Sequence, residues 1–211
     1  MRVLGVDTCG PEGSVALAEV NEQGVMVLQA RHLAGRTYSE DLMPAIREML
    51  EAAGVAVGDL GAIVVVRGPG SFTGVRVGLS TAKGLAQAAG LPVIGVSRLQ
   101  VLAQKAGSRA AVLDAGRGEM YFGLADDEAG EALLRPAEIR ERAPEYEIAC
   151  CETKAAQALT GVRVVDAPEA EDALRFAQGR ILNRDFDDLS AMDAHYLRRS
   201  EAELVAERRG Q

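Results

Sequence analysis

The sequence predicts an α/β fold in two lobes, built by duplication of a βββαβα unit with the second lobe reduced. Three observations predict it. Short apolar runs rich in β-branched residues alternate with stretches of helical period, the pattern of strands separated by helices. An apolar run, an aspartate, a glycine-bearing turn and a second apolar run occur in that order twice, around Asp7 and around Asp114, 107 positions apart in a chain of 211 residues. A turn dense in glycine, with Gly68, Gly70, Gly74 and Gly78, carries the buried run Ala62 to Val66 into a long helical pattern. The lobes are expected to span residues 1–107 and 108–211.

Taken in order, residues 2–20 read as a hairpin. Val3 to Val6 is a buried strand, Asp7 to Gly13 is turn material, and Ser14 to Ala18 returns. A third strand, Val25 to Leu33, follows. Thr37 to Glu40 has the spacing of a capping box opening a helix to Ala53, with Leu42, Ile46, Met49 and Leu50 on one face. Pro44 conflicts with that start, because it lacks the amide that would pair with Glu40. Either Asp41 is the cap or the helix bends.

The central helix runs over 74–89, with Ser71 or Thr73 as its cap. Val75, Leu79, Ala82, Ala86 and Ala89 form its core line, and Gly74, Gly78, Thr81, Leu85 and Ala88 an adjacent small-residue line. Each glycine inside a helix costs about 0.5–1 kcal/mol relative to alanine, so close packing must benefit from them. That packing is either internal or against another subunit. A strand at 92–96 and a helix at 98–106 follow, then a hinge at Gly107-Ser108 and the second Asp-bearing hairpin, 110–124. Beyond 125 the chain is more polar, with strands at 147–151 and 162–165, helices at 154–159 and 170–180, and a charged tail after Ala194.

The glycine turn is neither of the common phosphate-binding fingerprints. Thr73 holds the place of the third glycine of G-x-G-x-x-G, and no Lys-Ser or Lys-Thr follows Gly74. Asp7, Thr8 and Ser14 fall at strand ends, where hydroxyls and amides suit a phosphate and a carboxylate its magnesium; alternatively they only shape the turn. Asp114 and Arg117 occupy the matching place in the second hairpin.

The bulk numbers narrow the function. Lys and Arg total 23 against 31 Asp and Glu, net charge −8, which argues against an autonomous nucleic-acid binder. No apolar run reaches the length of a membrane span, the N-terminus enters a strand directly, and three cysteines make a poor disulfide framework, so a cytoplasmic location is expected. The two histidines, His32 and His195, are too far apart in sequence for a metallopeptidase helix motif.

The paired Asp-bearing hairpins resemble the duplicated actin-like (ribonuclease H-like) architecture of sugar kinases and heat-shock ATPases. More specifically, the stretch from Arg67 to Gly78 resembles the signature of the bacterial TsaB (YeaZ) family. Val6-Asp7-Thr8, Ser39-Glu40, Leu42-Met43-Pro44, Ser80 to Leu85, Gly95-Val96-Ser97, Asp114 to Tyr121 and Tyr196-Leu197-Arg198 agree with it. The resemblance implies a non-catalytic subunit for threonylcarbamoylation of the adenosine next to the anticodon in tRNAs reading codons that begin with A. The implied partners are the catalytic paralogue TsaD and the ATPase TsaE, or a second copy of the chain when TsaD is absent, with tRNA met only through the complex. No cofactor or metal is expected to be held firmly by the chain itself, ATP and magnesium belonging to the interface of the assembled complex. The implied interface comprises Leu42, Met43, Ile46, Gly70, Ser71, Phe72, Thr73, Gly74, Arg76, Gly78, Thr81 and Leu85.

Three positions depart from the family pattern: Tyr38 stands where histidine is frequent, Cys9 where serine is, and Ala149 to Glu152 lack the glycines that would admit a nucleobase. Cys9 is expected to pack in its turn rather than react. The rival readings are a metallopeptidase, which lacks ligands, and an actin-like small-molecule kinase or ATPase using Asp7 and Asp114.

Overall fold

A computed structural model describes residues 1–34 and 37–198. The first half forms strands β1 (Arg2–Asp7), β2 (Glu12–Asn21) and β3 (Gly24–Ala34), helix α1 (Tyr38–Ala52), strand β4 (Ala62–Val66), helix α2 (Phe72–Ala89), strand β5 (Val93–Val96) and helix α3 (Arg98–Ala106). The second half repeats the series: β6 (Ala110–Gly116), β7 (Glu119–Leu124), β8 (Asp127–Leu134), α4 (Pro136–Arg142), β9 (Ile148–Cys150), α5 (Thr153–Ala158), β10 (Val162–Val164) and α6 (Ala170–Leu182). The first sheet has the order β3-β2-β1-β4-β5, and the second the corresponding order β8-β7-β6-β9-β10. In both, the opening three strands are antiparallel and the fourth and fifth run parallel to the first. The expected duplicated βββαβα core is present twice, each copy extended by a fifth strand and a third helix.

Burial explains the strands. All five residues of β4 are buried, because apolar layers cover the central strands on both sides; a continuous apolar run then has no solvent face to alternate with. One layer packs Leu4, Val6, Ile63 and Val65 with Leu42, Ile46, Met49 and Leu79 of α1 and α2. The other packs Val3, Val64, Val66 and Ile94 with Ala173, Leu174, Ala177 and Ile181 of α6.

The third helix of each half crosses over. Helix α3 packs on β6, β7 and β9 of the second sheet, and α6 packs on β1, β2 and β4 of the first. A cut at 107 therefore separates the strands into two sheets but not the helices, and α6, expected in the second lobe, belongs by its contacts to the first. Gly107, expected as a hinge, adopts φ 64° and closes α3 as its C-cap.

Local expectations were met unevenly. Ser71 caps α2, its Oγ accepting from Gly74 N at 3.3 Å, so the helix starts at Phe72 rather than Gly74. Thr37 precedes α1 without any side-chain cap hydrogen bond, so the expected capping box is not made. Pro44 lies inside α1 on an exposed position, where water can satisfy the Glu40 carbonyl. Strand β8 and helix α4 have no counterpart in the sequence reading. β8 reads Asp127-Glu-Ala-Gly-Glu and pairs only with β7 at the sheet edge, where polar residues are tolerated. The tail from Arg199 onward lies outside the described residues.

Candidate functional site

Two surfaces compete for a functional role: the cleft between the sheets, and the outer face of α1 and α2. Both depend on how α2 sits on the turn after β1. Asp7 Oδ1 accepts from Cys9 N at 2.8 Å, Thr8 Oγ1 donates to Gly74 O at 2.6 Å, and Cys9 Sγ donates to Val66 O at 3.2 Å. Ser71 N in turn donates to Cys9 O at 2.8 Å. A side chain at Gly70 would overlap the Cys9 carbonyl, one at Gly74 the Thr8 carbonyl, and one at Gly78 the Thr8 hydroxyl. The glycine spacing thus serves the contact of α2 with its own Asp7 turn.

Burial divides the residues of the expected interface. Gly74 and Gly78 are buried against Thr8, and Leu42 and Ile46, each 1% exposed, belong to the core beneath α1. None of the four is exposed at the surface. Gly70, Thr81 and Leu85 are partly covered. The outward set is Met43, Ser71, Phe72, Thr73 and Arg76, with Met43 47% and Phe72 40% exposed. The outer line of α2 continues through Ser80, Gly84 and Ala88, all exposed, and a side chain at Gly84 would meet nothing within 4 Å. This line was missed because the periodicity of the buried glycines looked equally available. Beside it, Phe72 stacks on Tyr196 with ring centroids 4.9 Å apart, Arg76 lies 3.8 Å over the Phe72 ring, and Arg76 Nε donates to Tyr196 Oη at 2.8 Å.

The cleft has a volume of about 500 Å3 and is lined from the first half by Cys9, Gly10, Gly70, Ser71 and Arg98, and from the second by Asp114, Gly116, Tyr121 and Glu152. Of the residues expected to face a phosphate, only Asp114 lines it. Asp7 is 2% exposed and Thr8 0%, and the Ser14 hydroxyl accepts from Ala170 N at 2.8 Å, capping nothing outside the protein. These three are spent on turn shape and on holding α6. Arg117 borders a separate depression with Lys154 and Pro136.

Burial shifts the titration of the turn. It raises Asp7 above the ordinary carboxylate value of 3.8, opposed by the charge of Arg98 and the Cys9 amide. It also holds the Cys9 thiol well above 9.0, which makes Cys9 an inert packed thiol, as expected. Tyr38, where the family pattern has histidine, is pushed up to about 12 by burial and by Asp7, and its hydroxyl donates to Gly10 O at 2.9 Å. On the far wall, Glu152 is raised from 4.5 by burial despite accepting a hydrogen bond from Asp114 N. Cys151 is pushed by burial to about 11.

The residue that sequence reasoning missed is Arg98. It occupies the first position of α3, its amide donating to Gly68 O at 2.7 Å, and it is 3% exposed. Burial lowers its affinity for a proton, but the charge of Asp7, followed by smaller contributions from Cys151 and Cys9, more than restores it. Its Nε has no hydrogen-bond partner. Among the described residues, no group of three or more His, Cys, Asp or Glu side chains is placed to hold a metal, and no helix is long and apolar enough to cross a membrane. His32 is exposed on β3, and His195 Nε2 lies 2.8 Å from Glu131 Oε2.

Comparison with known proteins agrees with this architecture. The model of the TsaD family, tRNA N6-adenosine threonylcarbamoyltransferase, matches residues 30–169. The tRNA threonylcarbamoyladenosine biosynthesis protein TsaB of Escherichia coli is 36% identical over 156 residues, 67% of this chain and 66% of that protein. Its Haemophilus influenzae counterpart is 39% identical over 128 residues, 58% of this chain and 52% of that one. The chain thus spans between about half and two thirds of the length of these curated relatives. Two solved structures from Pseudomonas aeruginosa superpose with a TM-score of 0.76, each covering 93% of this chain and 99% of the other: a protein with similarity to peptidase YeaZ, 30% identical, and YeaZ, 27% identical. With the duplicated sheets, the Arg67 to Gly78 turn and these matches in agreement, the chain belongs to the TsaB (YeaZ) family.

Proposed function

We propose that this chain is a non-catalytic subunit in threonylcarbamoylation of the adenosine beside the anticodon, acting in the cytoplasm by docking on the catalytic paralogue TsaD, with TsaE joining the pair and a second copy of the chain replacing TsaD when it is absent. The observation that carries the docking is the outer face of α1 and α2. Two large apolar side chains, Met43 and Phe72, stand exposed there, and the exposed residues of α2 beyond Phe72 include, beside Arg76 and Gln87, the short Thr73, Ser80, Gly84 and Ala88. Short side chains let a partner helix approach closely, and exposed apolar anchors beside an arginine are the composition of an interface centre. The net charge of −8 fits a subunit that meets tRNA through others.

The kinase or ATPase reading asks Asp7 and Asp114 to bind magnesium-nucleotide together; Asp114 lines the cleft, but Asp7 is 2% exposed and its carboxylate is engaged by Cys9 N. Co-purification with TsaD tests the proposal. The wild-type chain is expected to retain TsaD, and Gly84→Arg, which places bulk in open space without disturbing the core, is expected to lose it. Robust ATP turnover by the lone chain would instead favour the kinase.

A further inference from the structure

We infer that the cleft between the two sheets binds a small organic oxyanion, a carboxylate or a phosphate, that carries N–H or O–H donors at its other end. The inference begins at Arg98. A guanidinium removed from water loses several kcal/mol of hydration unless its donors are satisfied, yet Arg98 is 3% exposed and its Nε has no partner. The room for it is built in: a side chain at Gly10 would stand 2.7 Å from Arg98 Nη2. The same guanidinium lines a cleft of about 500 Å3, beside Gly10, Gly70 and Ser71. An oxyanion entering there offers the paired acceptors that a guanidinium fork is shaped to receive.

The opposite wall decides the other end of the ligand. Asp114 and Glu152 line it, and they repel a simple anion while inviting donors. Glu152 already accepts from Asp114 N, and Lys154 Nζ stands 3.8 Å from Asp114 Oδ2, so the wall is only partly neutralised. A molecule with an oxyanion toward Arg98 and donors toward Glu152 matches both walls; a bare anion matches one. Glu152 is half-buried, so a donor reaching its carboxylate competes with less water than at an open surface. This site shares Ser71 with the edge of the α2 face, but the inference does not rest on the docking proposed there.

Calorimetric titration of the full chain with two matched pairs of probes tests the inference: phosphoethanolamine against ethyl phosphate, and β-alanine against propionate. Within at least one pair the donor-bearing member is expected to bind roughly tenfold tighter, the factor set by one hydrogen bond to a charged group. The pair that binds identifies the oxyanion. Glu152→Gln, which keeps an acceptor for Asp114 N but loses the charge, is expected to abolish that preference while strengthening ethyl phosphate or propionate. Arg98→Gln is expected to abolish binding of every probe; should that variant not fold, the Glu152→Gln titrations decide alone. No binding by wild type at millimolar probe, or an unchanged preference in Glu152→Gln, overturns the inference, as does full binding by a folded Arg98→Gln.

Discussion

The turn after β1 and the turn after β6 are the same device in two settings. In each, an aspartate accepts from the amide two residues on at 2.8 Å, Asp7 from Cys9 and Asp114 from Gly116. They differ in what covers them. The first lies beneath the eighteen residues of α2, where a side chain at Gly74 would overlap the Thr8 carbonyl and one at Gly78 the Thr8 hydroxyl. The second faces α5, six residues long and free of glycine, and its aspartate remains partly open beside an exposed lysine. Duplication supplied both turns, but the long glycine helix closed one of them. The closed turn is buried, and the helix that closes it turns Thr73, Ser80, Gly84 and Ala88 outward.

Substitutions can break or sharpen that contrast, the largest effect first. Gly74→Ala drives a side chain into the Thr8 carbonyl and should cost about 3 kcal/mol, the upper range for overpacking a rigid site. Gly116→Ala in the second turn, at φ 72° with nothing within 4 Å, should cost only about 1 kcal/mol, from backbone strain. Urea unfolding of both variants checks the difference.

Thr8→Val removes a buried hydroxyl that donates at 2.6 Å to Gly74 O and should cost about 1–2 kcal/mol. Lys154→Ala, which deletes a pair at 3.8 Å with the lysine 83% exposed, should change the same midpoint negligibly.

Glu152→Gln gives an effect set by pH. Because the folded state raises this carboxyl above 4.5, it binds the proton more tightly than the unfolded chain, so the associated stability is complete below that value and lost as pH rises through the folded one. The variant should therefore be more stable than wild type at neutral pH, and the gain should vanish as pH falls below 4.5. Unfolding midpoints measured across that range give the answer. One substitution is a gain: Gly84→Ala, in open space on α2, should stabilise by about 0.5–1 kcal/mol through helix propensity alone.

Much of the fold was legible in the sequence because its strands are buried on both faces. Runs such as Ala62 to Val66 and Ala110 to Leu113 leave no other reading, and the repeat of Asp7 in Asp114 exposed the duplication. The polar edge strand β8 and the short helix α4 left no such trace, since an edge needs little apolar content. The site was less legible than the fold. Spacing placed Gly74 and Gly78 on one line of a helix, but periodicity cannot say whether a line faces the interior or a partner, and the buried Thr8 decided it. Arg98 was invisible for a related reason: an arginine at the start of a helix reads as a solvent-facing residue unless the opposing turn, 91 positions earlier at Asp7, is known to lie against it.

The central claim is that the outward face of α2, and not chemistry in the cleft, is what this chain contributes to tRNA modification. The most direct measurement is threonylcarbamoylation of tRNA reconstituted with TsaD and TsaE, comparing wild type with Gly84→Arg after both are shown to be folded. The account predicts that wild type stimulates the reaction, that Gly84→Arg does not, and that neither modifies tRNA alone. Full stimulation by Gly84→Arg, or modification by the chain without TsaD, would contradict it.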